Sequence, residues 1–187
     1  ITAWAARQQN KKTIGISHQY AFQYHIPRAG TDPVSEAVMR NFAPVDIGIG
    51  LHWHHFDQPI LPPVIETPII AQQIQRNKVV IYLPFEDQQQ VMKLLSPFKE
   101  FEFFIYSPEN VTSPYAHIHC KPLSLHGFQK DLSDCTGIIC NAGFELASES
   151  LQLGKKILVK PVHAQMEQTS NAAALQLLGY GKMMHSV

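Results

Sequence analysis

The sequence predicts an α/β protein built around a mainly parallel sheet, and three observations carry that expectation. Short β-rich runs such as Lys78-Val-Val-Ile-Tyr-Leu83 and Gly137-Ile-Ile-Cys140 read as buried strands. Helical stretches separate the runs, and a strand followed by a helix and another strand makes a crossover, hence parallel pairing. Finally, 45% of the 187 residues are apolar, ten of them Phe, and only 16% are charged. Such a chain buries a sizeable core and is not disordered.

Taken in order, Thr2 to Gln9 reads as the end of a helix with Trp4, Ala5 and Ala6 inward. Thr13 to Ser17 and Asp46 to Leu51 read as buried strands. Asp32–Pro33, an N-cap followed by Pro at the first helical position, opens a helix to about Asn41. Two strands and two helices cannot close a core alone. With Ile rather than Met at position 1, residues 1–57 are expected to be the C-terminal remnant of a larger α/β domain. Gln58 to Ile70 carries four Pro residues, which restrict the chain to extended conformations, so 58–76 is a stiff linker. The second domain, 77–187, is expected to hold strands at 78–83, 101–106, 117–120, 137–140 and 157–159. Its helices are expected at 87–95, 128–134, 144–153 and 167–178.

Lys+Arg and Asp+Glu total 15 each, so no basic excess exists to bind nucleic acid through phosphates. No apolar run reaches the about 18 residues of a membrane span, and no signal peptide is visible. Cys120, Cys135 and Cys140 form no Cys-x-x-Cys pair and read as reduced thiols, which suits the cytoplasm.

Ligands of such sheets bind outside the carboxyl ends of the strands. Three turns there are informative. In Ile138-Ile-Cys-Asn-Ala-Gly-Phe-Glu-Leu-Ala-Ser-Glu149 a strand runs into Gly143 and directly into a helix. The N–H groups and partial positive charge of a helix start, with Gly143 letting a ligand approach the backbone, suit a phosphate. Glu149, one turn on, suits a pair of ribose hydroxyls; the bland alternative is a solvated Glu face. Lys160 to Asn171 crowds His163, Gln165, Glu167, Gln168 and Asn171 at a helix start, a donor–acceptor pattern that matches sugar hydroxyls. Ordinary capping needs only one such residue. Leu123-Ser-Leu-His-Gly127 offers backbone groups near Leu125 to a base edge.

Asn141 to Glu149, Leu153 to Pro161, Gln165 to Ala172 and Leu178-Gly179 together resemble one continuous pattern of the GT-B glycosyltransferases. That pattern is shared by the lipid-linked muropeptide N-acetylglucosamine transferases and the UDP-glycosyltransferases. The likeness spans residues 123–181; the Tyr82 to Glu86 stretch is similar to uncharacterised glycosyltransferase-like proteins. It implies a Rossmann-like donor domain preceded by the C-terminal part of a second Rossmann-like domain. It further implies that groups near Leu125 hold a uracil-type base, that Glu149 takes the ribose, and that Gly143, Phe144 and Glu145 face the diphosphate. His163, Gln165, Glu167 and Gln168 would meet the sugar. Where the muropeptide enzymes have two adjacent Gln residues, this chain has Glu167–Gln168. The partners implied are a nucleotide-sugar, expected to be UDP-linked, and an unknown hydroxyl acceptor, with no cofactor and no metal required. Any peripheral membrane contact would lie in the missing domain. The catalytic base is unknown; His18, just after the first strand, is an acceptor-side candidate. A non-catalytic nucleotide-sugar-binding module and a UDP-sugar 2-epimerase of the same fold are the alternatives.

Ten His residues raise a rival metal reading. In an extended strand His52 and His54 would share a face, as would His117 and His119. No Cys-x-x-Cys or His-Glu-x-x-His completes such a site, and the 52–57 segment is expected to pack at the hinge instead.

Overall fold

The computed structural model describes residues 2–29, 37, 41 and 43–187. The chain divides into two compact units, 1–64 and 65–187. Helix α1 (Thr2–Gln8) opens the first unit, followed by β1 (Ile14–Ser17), a short 3-10 helix (His18–Gln23) and β2 (Ile47–Gly50). Strands β1 and β2 pair in parallel, Ile14 opposite Ile47 and Ser17 opposite Gly50. The expected helix from Asp32 lies outside the described residues except at Ala37 and Asn41, whose side chain donates to the Ala37 carbonyl at 2.7 Å.

Two expectations for this unit are overturned. No residue of α1 is buried and Trp4 is 45% exposed, so Trp4, Ala5 and Ala6 do not point inward to a core. Nor are β1 and β2 buried strands. Side chains alternate across a strand, so Gly15, Gly48 and Gly50 share one face and Ile14, Ile16 and Ile47 the other. The 3-10 helix covers only the glycine face: a Cβ on Gly15 would lie 2.4 Å from the Tyr20 ring, and one on Gly50 2.7 Å from the Ala21 backbone. On the isoleucine face Ile14, Ile16 and Ile47 are exposed and Ile49 is half-buried.

The second unit is a six-stranded, wholly parallel sheet of order β5-β4-β3-β6-β7-β8. Its elements are β3 (Lys78–Tyr82), α2 (Gln88–Leu95), β4 (Glu102–Ser107), β5 (Ile118–Pro122), α3 (Leu125–Asp134) and β6 (Gly137–Cys140). Helix α4 (Phe144–Gln152), β7 (Lys156–Val159), α5 (Met166–Leu177) and β8 (Lys182–Met183) complete it. On one face Ile81, Leu83, Phe103 and Ile105 pack with Val91 and Leu95 of α2. On the other, Val80, Ile138 and Val159 are fully buried and α3, α4 and α5 contact β3, β7 and β8. A fully buried aliphatic side chain of this size contributes about 1.5–3 kcal/mol.

Two lysines, Lys78 and Lys155, are buried inside this packing, and Lys155 donates to the Ser133 and Cys135 carbonyls. Lys78 is 3% exposed and donates to Asp131 at 2.8 Å and Asp134 at 2.5 Å, both on α3. Burial alone would lower its pKa, but the two carboxylates outweigh burial and raise it. The pair pins α3 to the start of β3. Helix α3 begins at Leu125, not at Phe128 as the sequence suggested. Gly127 argues against a helix by propensity, yet the Ser124 side chain accepts from the Gly127 amide at 3.1 Å and caps the extra turn.

Candidate functional site

The site is built where β6 and β7 end. The register places Tyr82, Cys140 and Val159 at one level, so the turns after β3, β6 and β7 leave the sheet side by side. Gly143 is the N-cap of α4, with φ −69° and ψ 142°, a conformation open to any residue. A Cβ on Gly143 would meet nothing within 4 Å, so neither backbone strain nor packing demands glycine here. As a glycine, the N-cap residue has no side chain to cap the helix start. The Gly143 amide itself donates to the Asn141 carbonyl at 2.9 Å and is not free for a phosphate.

Three buried amide side chains weld this turn to the next. Asn141 Nδ2 donates to the Lys160 carbonyl at 2.9 Å. Gln168 Oε1 accepts from the Ala142 amide at 3.2 Å and the Val162 amide at 2.9 Å. Asn171, 1% exposed, donates through Nδ2 to the Ala142 carbonyl at 3.0 Å. Turns 141–143 and 160–168 are therefore one hydrogen-bonded body. Gln168, expected against a sugar, spends its oxygen on backbone. Asn171 points inward, where plain capping would have turned it out.

The other expected residues scatter around this body. His163 and Gln165 are exposed and Glu167 is half-buried. Between them Ala164 holds φ 58°, a left-handed conformation that costs a non-glycine residue about 1–2 kcal/mol. Leu125 is 74% exposed as the first residue of α3. Phe144 is half-buried and Glu145 exposed. Glu149 is half-buried beside a crevice of about 20 Å³, room for about one water, with Glu66, Ile69 and Gln129 among its walls. Burial first, then the Glu145 and Glu66 carboxylates, raises the Glu149 pKa above the usual 4.5.

A second polar feature escaped the sequence. Lys160 Nζ donates to Glu86 Oε1 at 2.6 Å, with side chains 13% and 15% exposed. The partners are 74 positions apart in sequence, so no local pattern announces them. In the first unit His18 is buried and its Nδ1 lies 2.9 Å from the Leu51 carbonyl. A carbonyl only accepts, so Nδ1 carries a proton.

The histidine pairs separate. His52 is buried and His54 exposed, because residues 52–54 leave the strand. Burial, then His18 and His54, lowers the His52 pKa to about 3. His119 pairs with Glu102 at 2.6 Å, while His117 lies against the Phe103 and Tyr115 rings. Among the described residues no three His, Cys, Asp or Glu side chains group around a possible metal, and no helix is long and apolar enough to cross a membrane.

The profile described as Glycosyl transferase family 1 matches residues 52–187, which includes every turn of the site. The chain belongs to that family. No curated protein matches the chain. Among solved structures, it is similar to the glycosyltransferase SnogD from Streptomyces nogalater, with 15% identity, 98% of this chain and 63% of that chain covered, and a TM-score of 0.53. Acinetobacter baumannii MurG gives 18% identity, 97% and 55% coverage, and 0.60. The spinosyn rhamnosyltransferase SpnG, complexed with spinosyn aglycone, gives 16%, 97%, 56% and 0.64. The parallel α/β architecture is thus that of the GT-B glycosyltransferases. The chain spans between 55% and 63% of the length of these three structures.

Proposed function

We propose that residues 77–187 bind the nucleotide-sugar donor of a GT-B glycosyltransferase, joined by residues 58–76 to an acceptor-side segment, 1–57. The observation that carries this reading is the start of α4. Gly143 stands before open space though neither packing nor conformation requires glycine, and the turn is held rigid by Asn141, Gln168 and Asn171. A rigid helix start with room in front is preorganised for an anion.

On this reading the acceptor hydroxyl attacks the anomeric carbon of a UDP-linked sugar. The bond from that carbon to the diphosphate oxygen breaks, and the diphosphate leaves with the electron pair. Charge growing on it is met by the first-turn amides of α4 and the helix dipole. The hydroxyl proton goes to a base on the acceptor side, for which His18, directly after β1, is the candidate. The Glu149 carboxylate accepts from the ribose hydroxyls, and the Gln168 amide nitrogen and Glu167 carboxylate meet the sugar. Three free thiols fit work in the reducing cytosol.

The test is a thermal-shift and turnover panel of nucleotides and nucleotide-sugars. Stabilisation by UDP and UDP-sugars, with sugar transferred or hydrolysed, supports the reading. Conversion of UDP-N-acetylglucosamine to its epimer without acceptor favours an epimerase. Binding with no turnover by the full-length protein favours a binding module. No stabilisation by any nucleotide contradicts all three.

A further inference from the structure

We propose that Lys160 is the side chain that positions the donor diphosphate, and that Glu86 holds it in place until the diphosphate arrives. The inference rests on the donor-site reading above and names the cation that the α4 helix start lacks.

Lys160 follows β7 directly, and Glu86 lies in the turn after β3. Strand β6 runs between those two strands, so their ion pair crosses the end of β6, where the Asn141–Gly143 turn departs. Lys160 is fixed at both ends of its backbone: its amide donates to the Cys140 carbonyl at 2.9 Å, and its carbonyl accepts from Asn141 Nδ2. Glu86 is fixed likewise, its carbonyl accepting from Gln88 Nε2 at 2.7 Å.

The polar groups around this pair are not fully satisfied. Asn141 Oδ1 and Gln88 Oε1 are buried with no hydrogen-bond partner, in residues 7% and 3% exposed. An unpaired buried oxygen is destabilising, and both belong to the side chains that hold Lys160 and Glu86. A charge pair this buried adds little stability by itself, because desolvation offsets the attraction. A fold that needed only packing would place apolar residues here. A diphosphate carries more negative charge than one carboxylate and so displaces Glu86 as the partner of Lys160. Glu86 meanwhile spares the empty site an unpaired buried ammonium.

Calorimetry on the full chain tests this. UDP, dTDP and GDP are titrated in turn, and the tightest is carried forward with its parent nucleoside. Lys160→Met should weaken the diphosphate by about tenfold or more and leave the nucleoside unchanged, and Lys160→Arg should restore most of the loss. Glu86→Gln, which frees the ammonium, should tighten the diphosphate. If Lys160→Met folds poorly because Glu86 is left unpaired, Glu86→Gln/Lys160→Met removes both charges and should show the same selective loss. Wild-type diphosphate affinity in the folded double variant overturns the proposal. So does an equal loss for nucleoside and diphosphate, or an unchanged affinity in Glu86→Gln. A wild-type chain that binds no nucleoside diphosphate overturns the donor-site reading as well.

Discussion

Gly50 and Gly143 occupy comparable places, one at the end of β2 and the other just past the end of β6, yet they serve opposite purposes. Gly50 is glycine because the chain needs the space: its missing Cβ would sit 2.7 Å from the Ala21 backbone. Gly143 is glycine where the chain needs nothing, with ordinary dihedrals and no atom within 4 Å of a Cβ. That space stands open at a helix start held by three buried amides, which is what the proposed donor site needs. The first unit spends its glycines on bringing a short helix against two strands; the second leaves one at the open start of α4.

The largest effect should come from Gly50→Ala. Its methyl meets backbone that cannot swing aside, and overpacking of this kind costs about 1–3 kcal/mol. Both Trp residues, Trp4 and Trp53, lie in the first unit. The denaturation midpoint followed by Trp fluorescence should therefore fall. An unchanged midpoint would mean that the glycine face of β1 and β2 is not packed as described.

Asn171→Ala should cost the second unit a similar or slightly smaller amount, about 1–2 kcal/mol, because the buried Ala142 carbonyl loses its donor. Far-UV circular dichroism should report the loss while the Trp signal stays near wild type. Equal loss in both signals would contradict the assignment of this bond to the second unit alone.

Glu149→Gln should have the smallest effect on the fold, and of opposite sign. The folded-state pKa of Glu149 is raised, so its proton is held more tightly folded than unfolded. Its contribution favours the fold below the unfolded value of 4.5 and is lost as pH rises through the folded pKa. At neutral pH the substitution removes that penalty, and the melting temperature should rise slightly while nucleotide affinity falls. The wild-type affinity should also decline on acidification from a higher pH than a free Glu would set. A flat affinity from neutral pH down to 4.5 would contradict a ribose role for this carboxylate.

The second unit was largely legible in the sequence because its signals are local. Apolar runs with helices between them mark a parallel sheet, and β6 has the bounds read from sequence, 137–140. The 3-10 helix at His18–Gln23 and the two-residue β8 went unread, since neither is long enough to repeat a period. Burial in the first unit was misjudged for a related reason: Ile14, Ile16 and Ile47 spell a strand, but which face a neighbour covers is a tertiary fact. At the site, Gly143 before a helix was readable. The use of Gln168 and Asn171 as cross-braces was not, because an amide beside a turn looks alike whether it binds ligand or backbone. Glu86 with Lys160 had no signal at all, being joined only by sheet order.

The most direct test of the account is a calorimetric comparison of wild type and Gly143→Ala, titrated with UDP and UDP-N-acetylglucosamine, with the melting temperature of each protein recorded alongside. The added methyl should leave stability within about 1 kcal/mol of wild type and weaken both ligands by about tenfold or more. Unchanged affinity in the variant, or no binding by the wild type, would contradict the claim that the open start of α4 receives a diphosphate.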